Sequence, residues 1–129
     1  MNTKIIMSLS AVVMGIGGIV LTFMPNEIAR ALNSSVNMSF TIVLQILGAV
    51  YFAFAMLNWT AKANLIGGIY ARPIAIGNLT HFTIGSLALI KAYLPSGQSW
   101  ILPIAIIYAV FAVLFTIIFF THPIRTNSN

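Results

Sequence analysis

Residues 5–24 read IIMSLSAVVMGIGGIVLTFM, twenty positions without a charge. As an α-helix this run extends about 30 Å, the thickness of the hydrocarbon core of a bilayer. Three more runs of the same kind follow, at residues 39–60, 73–94 and 100–120, and only Lys91 puts a charge inside them. That repetition constrains the fold more than any other feature. Hydrocarbon offers no partner to peptide groups, so a spanning segment closes its hydrogen bonds within itself as a helix. The β-branched residues, which favour strands in water, do not alter this. The expected fold is all-α: a polytopic integral membrane protein, a four-transmembrane-helix bundle, with residues 1–129 as a single membrane domain.

The composition agrees. Hydrophobic residues make up 60% of the chain and charged residues 5%, against about 25% charged in soluble domains. A surface so poor in charge is suited to lipid. The charges are Lys4, Arg30, Lys62, Arg72, Lys91 and Arg125 against Glu27 alone. The cations stand singly, near the ends of apolar runs. They form no basic patch, so nucleic acid is not an expected partner. Absence of cysteine excludes disulfides, thiolate catalysis and iron–sulfur ligation. Lys4 ahead of the first run and ARA at 29–31 give the outline of a signal peptide. The run is longer than a signal h-region of about 7–15 residues, and Arg30 falls inside the cleavage motif, so it is read as a retained span.

Short connections link the runs. PNEIARALNSSVNM begins as a brief interfacial helix, with Ile28, Ala31 and Leu32 on one side and Glu27 and Arg30 three apart. In AKANLIGGIYAR the Gly67–Gly68 pair breaks the helix, and Pro73 suits the first turn of the next. PSGQS at 95–99 is a tight turn. With the N terminus inside, Lys4, Lys62, Arg72 and Arg125 are cytoplasmic, and Arg30 and Lys91 are external. The excess of positive charge favours this orientation, with both termini cytoplasmic. Trp59, Tyr93 and Trp100 stand at boundaries, as interfacial anchors do.

Association within lipid relies on small residues that let backbones approach. The first run offers Ala11, Gly15, Gly18 and Thr22. The second offers Ala49 and Ala53, the third Gly77 and Gly85 with His81 between them, and the fourth Ala105 and Ala109.

Chemistry is limited by what the chain lacks. One carboxylate side chain excludes paired-carboxylate acid–base work, and a Ser–His–Asp arrangement has no acid. GIGG at 15–18 lies inside a span and follows no strand, so it is no phosphate loop. His81 lies about 12 Å along a helix from Pro73, while His122 follows the fourth run, so the pair makes no metal site. No catalytic residue, metal or cofactor is assigned. A polar set remains at membrane depth: Gln45 in the second run, and Asn78, Thr80, His81, Thr83 and Ser86 in the third. Asn58 stands near the inner boundary, at the depth of Arg72. Gln45, Asn58, Arg72, Asn78 and His81 are the candidate ligand-binding residues, for a small polar ligand, a lipid headgroup or a proton. Each also has a structural role open to it. A neutral imidazole that bonds across a helix pair fixes register, Ser and Thr bond their own helix, Arg72 anchors topology, and Asn58 and Trp59 end a helix. The sequons at Asn33 and Asn37 arise easily in an Asn/Ser-rich loop.

The first run ends at a proline with a short outer helix. The second carries LQILGAVYFAFAMLNWTAK, and GGIYARP leads into a third run with an early Asn and His. This layout resembles the small four-helix bacterial membrane proteins grouped as DoxX-like, over most of the chain. The resemblance implies a quinone or a redox partner complex, and assigns no role to a particular residue. The expected function is that of a non-enzymatic accessory or self-associating membrane subunit, with the lipid bilayer and a homo-oligomer or membrane-protein partner around it. The alternative is a bundle that binds a small ligand, lipid or quinone around His81, as a carrier or oxidoreductase component.

Overall fold

A computed structural model describes residues 2–32 and 36–121. Their secondary structure is helical: α1 (Thr3–Phe23), α2 (Pro25–Ala31), α3 (Met38–Ala61), α4 (Arg72–Ser96) and α5 (Ile101–Phe120). The four long helices are each long and apolar enough to cross a membrane, and α4 is the least apolar of them. They form two compact units, Asn2–Ala63 and another from residue 64 onward. His122, Arg125 and Asn33, named above, lie outside the described residues.

In the first unit, α1 starts on Asn2, whose side chain accepts a hydrogen bond from the Lys4 N–H at 3.1 Å. It ends at Phe23 because Pro25 cannot continue the hydrogen-bond ladder and forces Met24 out of the helical region, to φ −125° and ψ 42°. Pro25 is then the first residue of α2, where its missing N–H is not needed. Asn37 caps α3 by accepting from the Phe40 N–H at 2.8 Å. Thr41 Oγ1 donates to Asn26 Oδ1 at 3.2 Å, which ties α3 to α2.

α1 and α3 pack as an antiparallel pair through glycine. A Cβ built on Gly18 would stand 2.8 Å from the Phe52 nitrogen and 2.9 Å from the Gly48 carbonyl oxygen. One on Gly48 would stand 2.8 Å from the Thr22 nitrogen. Backbone therefore meets backbone there, which only glycine permits. Of the buried positions of α3, Leu44, Gly48, Ala55 and Asn58 follow the spacing of a heptad seam, and Ala61 in the last turn departs from it. Ala49 and Ala53, the pair expected to pack, are instead exposed. The register that brings Gly48 to Gly18 turns them outward.

In the second unit, the chain reverses at Gly67–Tyr70, where the Gly67 N–H donates to the Tyr70 carbonyl at 3.1 Å and the Tyr70 N–H returns the bond at 3.0 Å. Gly67 (φ 130°) and Gly68 (φ 56°) occupy conformations that side chains resist. The Gly68 N–H donates to the Phe119 carbonyl at 3.3 Å, in the last turn of α5, where helical carbonyls lack partners of their own. α4 continues two residues past the expected end, through Pro95 and Ser96, and stops at Gly97 (φ 60°), whose N–H donates to the Tyr93 carbonyl at 2.8 Å. A proline so close to a helix end forfeits only the bond to Lys91, and its fixed φ suits a helix. The turn therefore occupies 97–100 rather than 95–99.

α4 and α5 pack around aromatic rings. Phe82 is fully buried. It stacks on Phe111 with centroids 4.8 Å apart and on Phe115 at 5.6 Å, and meets Tyr108 edge-on at 5.2 Å. Gly85 makes room for the Tyr108 ring, since a Cβ there would come within 2.6 Å of Tyr108 Cδ1.

Candidate functional site

The polar side chains that link the helices of the first hairpin sit toward its two ends. Asn58, fully buried one turn before the end of α3, donates from Nδ2 to Ser10 Oγ on α1 at 3.0 Å. Ser10 Oγ in turn donates to the Met7 carbonyl at 3.0 Å. The hydroxyl uses both of its capacities, and the amide gains a partner on the neighbouring helix. Asn58 is thus an interhelical residue and not only a helix end. Gln45 is exposed, and its Nε2 reaches the Thr22 carbonyl at 3.4 Å. Thr22 belongs to the last turn of α1, whose carbonyls lack intrahelical donors. Along α3, Gln45 and Asn58 lie thirteen residues apart, about 20 Å.

The other three candidates belong to α4. Asn78 is fully buried, and its Nδ2 donates to the Ile74 carbonyl one turn back at 3.0 Å. His81 lies one turn further, partly buried, with Nε2 3.2 Å from Tyr108 Oη on α5. The donor in that bond is set by the tautomer of the imidazole. Phe82 meets the imidazole edge-on at 5.1 Å. Ser86, another member of the polar set, donates to the Thr83 carbonyl at 2.9 Å. Arg72 begins α4 and is exposed, with its guanidinium carbon 5.6 Å from the centre of the Phe119 ring. Nine residues, about 13 Å of helix, separate it from His81.

Gln45 and Asn58 thus belong to one unit, and Arg72, Asn78 and His81 to the other. Asn78 and His81 share neighbouring turns of one helix. Two partners escaped the sequence reading: Ser10 and Tyr108. The signal for Tyr108 was its hydroxyl in the middle of a largely apolar run, and for Ser10 its hydroxyl within the first span. Among the described residues every buried side-chain nitrogen and oxygen has a hydrogen-bond partner. No group of three His, Cys, Asp or Glu residues converges among them. A shallow groove along α5 is lined by Ile106, Ala109, Val110, Val113 and Leu114, all apolar. Chemically, the His81–Tyr108 pair can hold a proton or a hydrogen bond within an aromatic surround, and the remaining contacts described hold helices in register.

No protein-family model, curated protein or solved structure matches the chain.

Proposed function

We propose that the protein is a non-enzymatic integral membrane subunit that associates with copies of itself or with a membrane-protein partner. The observation that carries this reading is the use made of its intramembrane polar groups. Asn58 with Ser10, Gln45 with Thr22 and His81 with Tyr108 each link two helices of one hairpin, and Asn78 bonds its own helix. Such bonds fix helix register. Outward faces rich in Ile, Leu, Val and Phe suit lipid or another apolar helix. The distribution of cations supports insertion with both termini cytoplasmic, and the DoxX-like layout of the sequence supports a bacterial inner membrane.

The test is gentle extraction from the native membrane, chemical crosslinking and native mass spectrometry. A discrete homo-oligomer or a stoichiometric protein partner, unchanged in His81→Leu, is the expected result. A monomer carrying a small polar molecule that is lost in His81→Leu would replace this reading with a second one. In that reading the protein binds a small ligand, lipid or quinone around His81, with Asn78 one turn away on the same helix. The observation favouring it is the His81–Tyr108 bond, two groups able to exchange protons at one point of α4 and α5. A DoxX-like role in quinol oxidation belongs to this second reading, with electrons passing through a partner. Unchanged quinol oxidation in a deletion strain would remove that role.

A further inference from the structure

The first hairpin is electrically lopsided. Ser10 meets Asn58 near one end, and Thr22 meets Gln45 toward the other, so α1 and α3 run antiparallel. Lys4 lies six residues before Ser10, about 9 Å along the axis, and Lys62 four residues after Asn58, about 6 Å. Both steps lead the same way, which places the two lysines at one end and within about 3 Å of one level. The other end holds Glu27 and Arg30 on α2, whose charges cancel.

Glu27 is the only carboxylate side chain in the sequence, so no side chain can neutralise Lys4 and Lys62. Lys62 Nζ lies 2.8 Å from the centre of the Trp59 ring. The indole shields one face of the ammonium and contributes no net charge. Lys4 is exposed in the first turn of α1, where the helix dipole disfavours a cation. The hairpin itself therefore gives Lys4 no electrostatic reward. A tryptophan beside the cation sets the level of this end, since indole rings settle among lipid headgroups.

We propose that the Lys4–Lys62 end of this hairpin binds the headgroups of anionic phospholipids. The inference rests on membrane residence and is independent of any protein partner. Each cation facing an anionic leaflet contributes about fivefold in affinity, reduced as salt is raised.

The test uses the full chain purified in a neutral detergent and titrated with micelles containing phosphatidylglycerol or phosphatidylcholine. Bound lipid is counted by native mass spectrometry, and folding is followed by circular dichroism. The protein is expected to prefer phosphatidylglycerol. That preference should fall about fivefold in Lys4→Gln and in Lys62→Gln, survive in Lys62→Arg, and stay unchanged in Lys91→Gln, which removes the same charge elsewhere. Equal binding of the two lipids by folded protein would overturn the proposal. So would an equal loss in Lys91→Gln, which would reduce the effect to net charge, or complete competition by millimolar inorganic phosphate, which would make this a free-anion site. Recovery of the protein as a soluble, lipid-free species would instead overturn the membrane reading on which the inference rests.

Discussion

Asn58 Nδ2 donates to Ser10 Oγ at 3.0 Å, and both residues are fully buried. The bond joins the first and third helices about two turns along α1 from the contact of Gly18 with Gly48. It pins the end of the hairpin that the glycine crossing leaves free. Removing either partner should loosen that end. Ser10→Ala and Asn58→Ala are each expected to destabilise the protein, by about 1–3 kcal/mol where a polar group is left buried. The double variant should show a coupling of about 0.6 kcal/mol, and no more than about 1.7. Denaturation in mixed micelles across the four members of the cycle measures it, and zero coupling would deny the bond any part in holding the hairpin.

The glycines of this hairpin are not equivalent. A Cβ on Gly48 would meet backbone at Thr22, whereas one on Gly15 would find only the Ala55 Cβ at 3.6 Å, an ordinary contact. Gly48→Ala should therefore force the helices apart and cost about 1–3 kcal/mol. Gly15→Ala should be neutral or stabilising, by up to about 1 kcal/mol from helix propensity. Comparing the two midpoints under the same denaturant decides the matter. Equal effects would mean that the crossing is not the close approach described here.

These positions also show what the sequence discloses. The end of α1 was legible because Pro25 acts locally, whereas α4 was expected to stop at 94 and instead runs through Pro95 to its cap at Gly97. The face of α1 was legible too, because Gly15, Gly18 and Thr22 form one stripe, and all three touch α3. The face of α3 was not. It carries small residues at 48, 49, 53 and 55, and local pattern cannot choose among those registers. The choice of Gly48 comes from the partner helix, where Gly18 admits a backbone and nothing else. Among the candidate site residues, Asn58 was placed near the inner boundary, at the end of a helix, and membrane-depth polarity singled out His81. Their partners Ser10 and Tyr108 lie forty-eight and twenty-seven residues away, and no local spacing links them.

His81 and Tyr108 offer a third comparison. Tyr108→Phe keeps the ring that packs on Phe82 and over Gly85 and removes only the hydroxyl that meets His81. The expected cost is about 0.6 kcal/mol, the mean for such bonds in membranes. Tyr108→Ala would also empty a buried aromatic site, at about 3–5 kcal/mol. A structural pair predicts this order and no change in bound small molecules for Tyr108→Phe. Loss of a co-purified molecule in Tyr108→Phe, with stability intact, would instead make the hydroxyl a ligand contact.

Orientation can be read with cysteine labelling, because the chain has no cysteine of its own and single substitutions have no background. Ala63 and Gln98 are both exposed and lie in connections that follow α3 and α4. With α4 crossing the bilayer between them, they report opposite sides. Ala63 adjoins Lys62 and precedes Arg72, in the connection that positive charge assigns to the cytoplasm. Ala63→Cys should resist a membrane-impermeant maleimide in intact cells and react after permeabilisation, whereas Gln98→Cys should react in both conditions. The reverse pattern would invert the topology, turning the Lys4–Lys62 end away from the cytoplasmic leaflet. Reaction of both residues in intact cells would mean that α4 does not span the membrane.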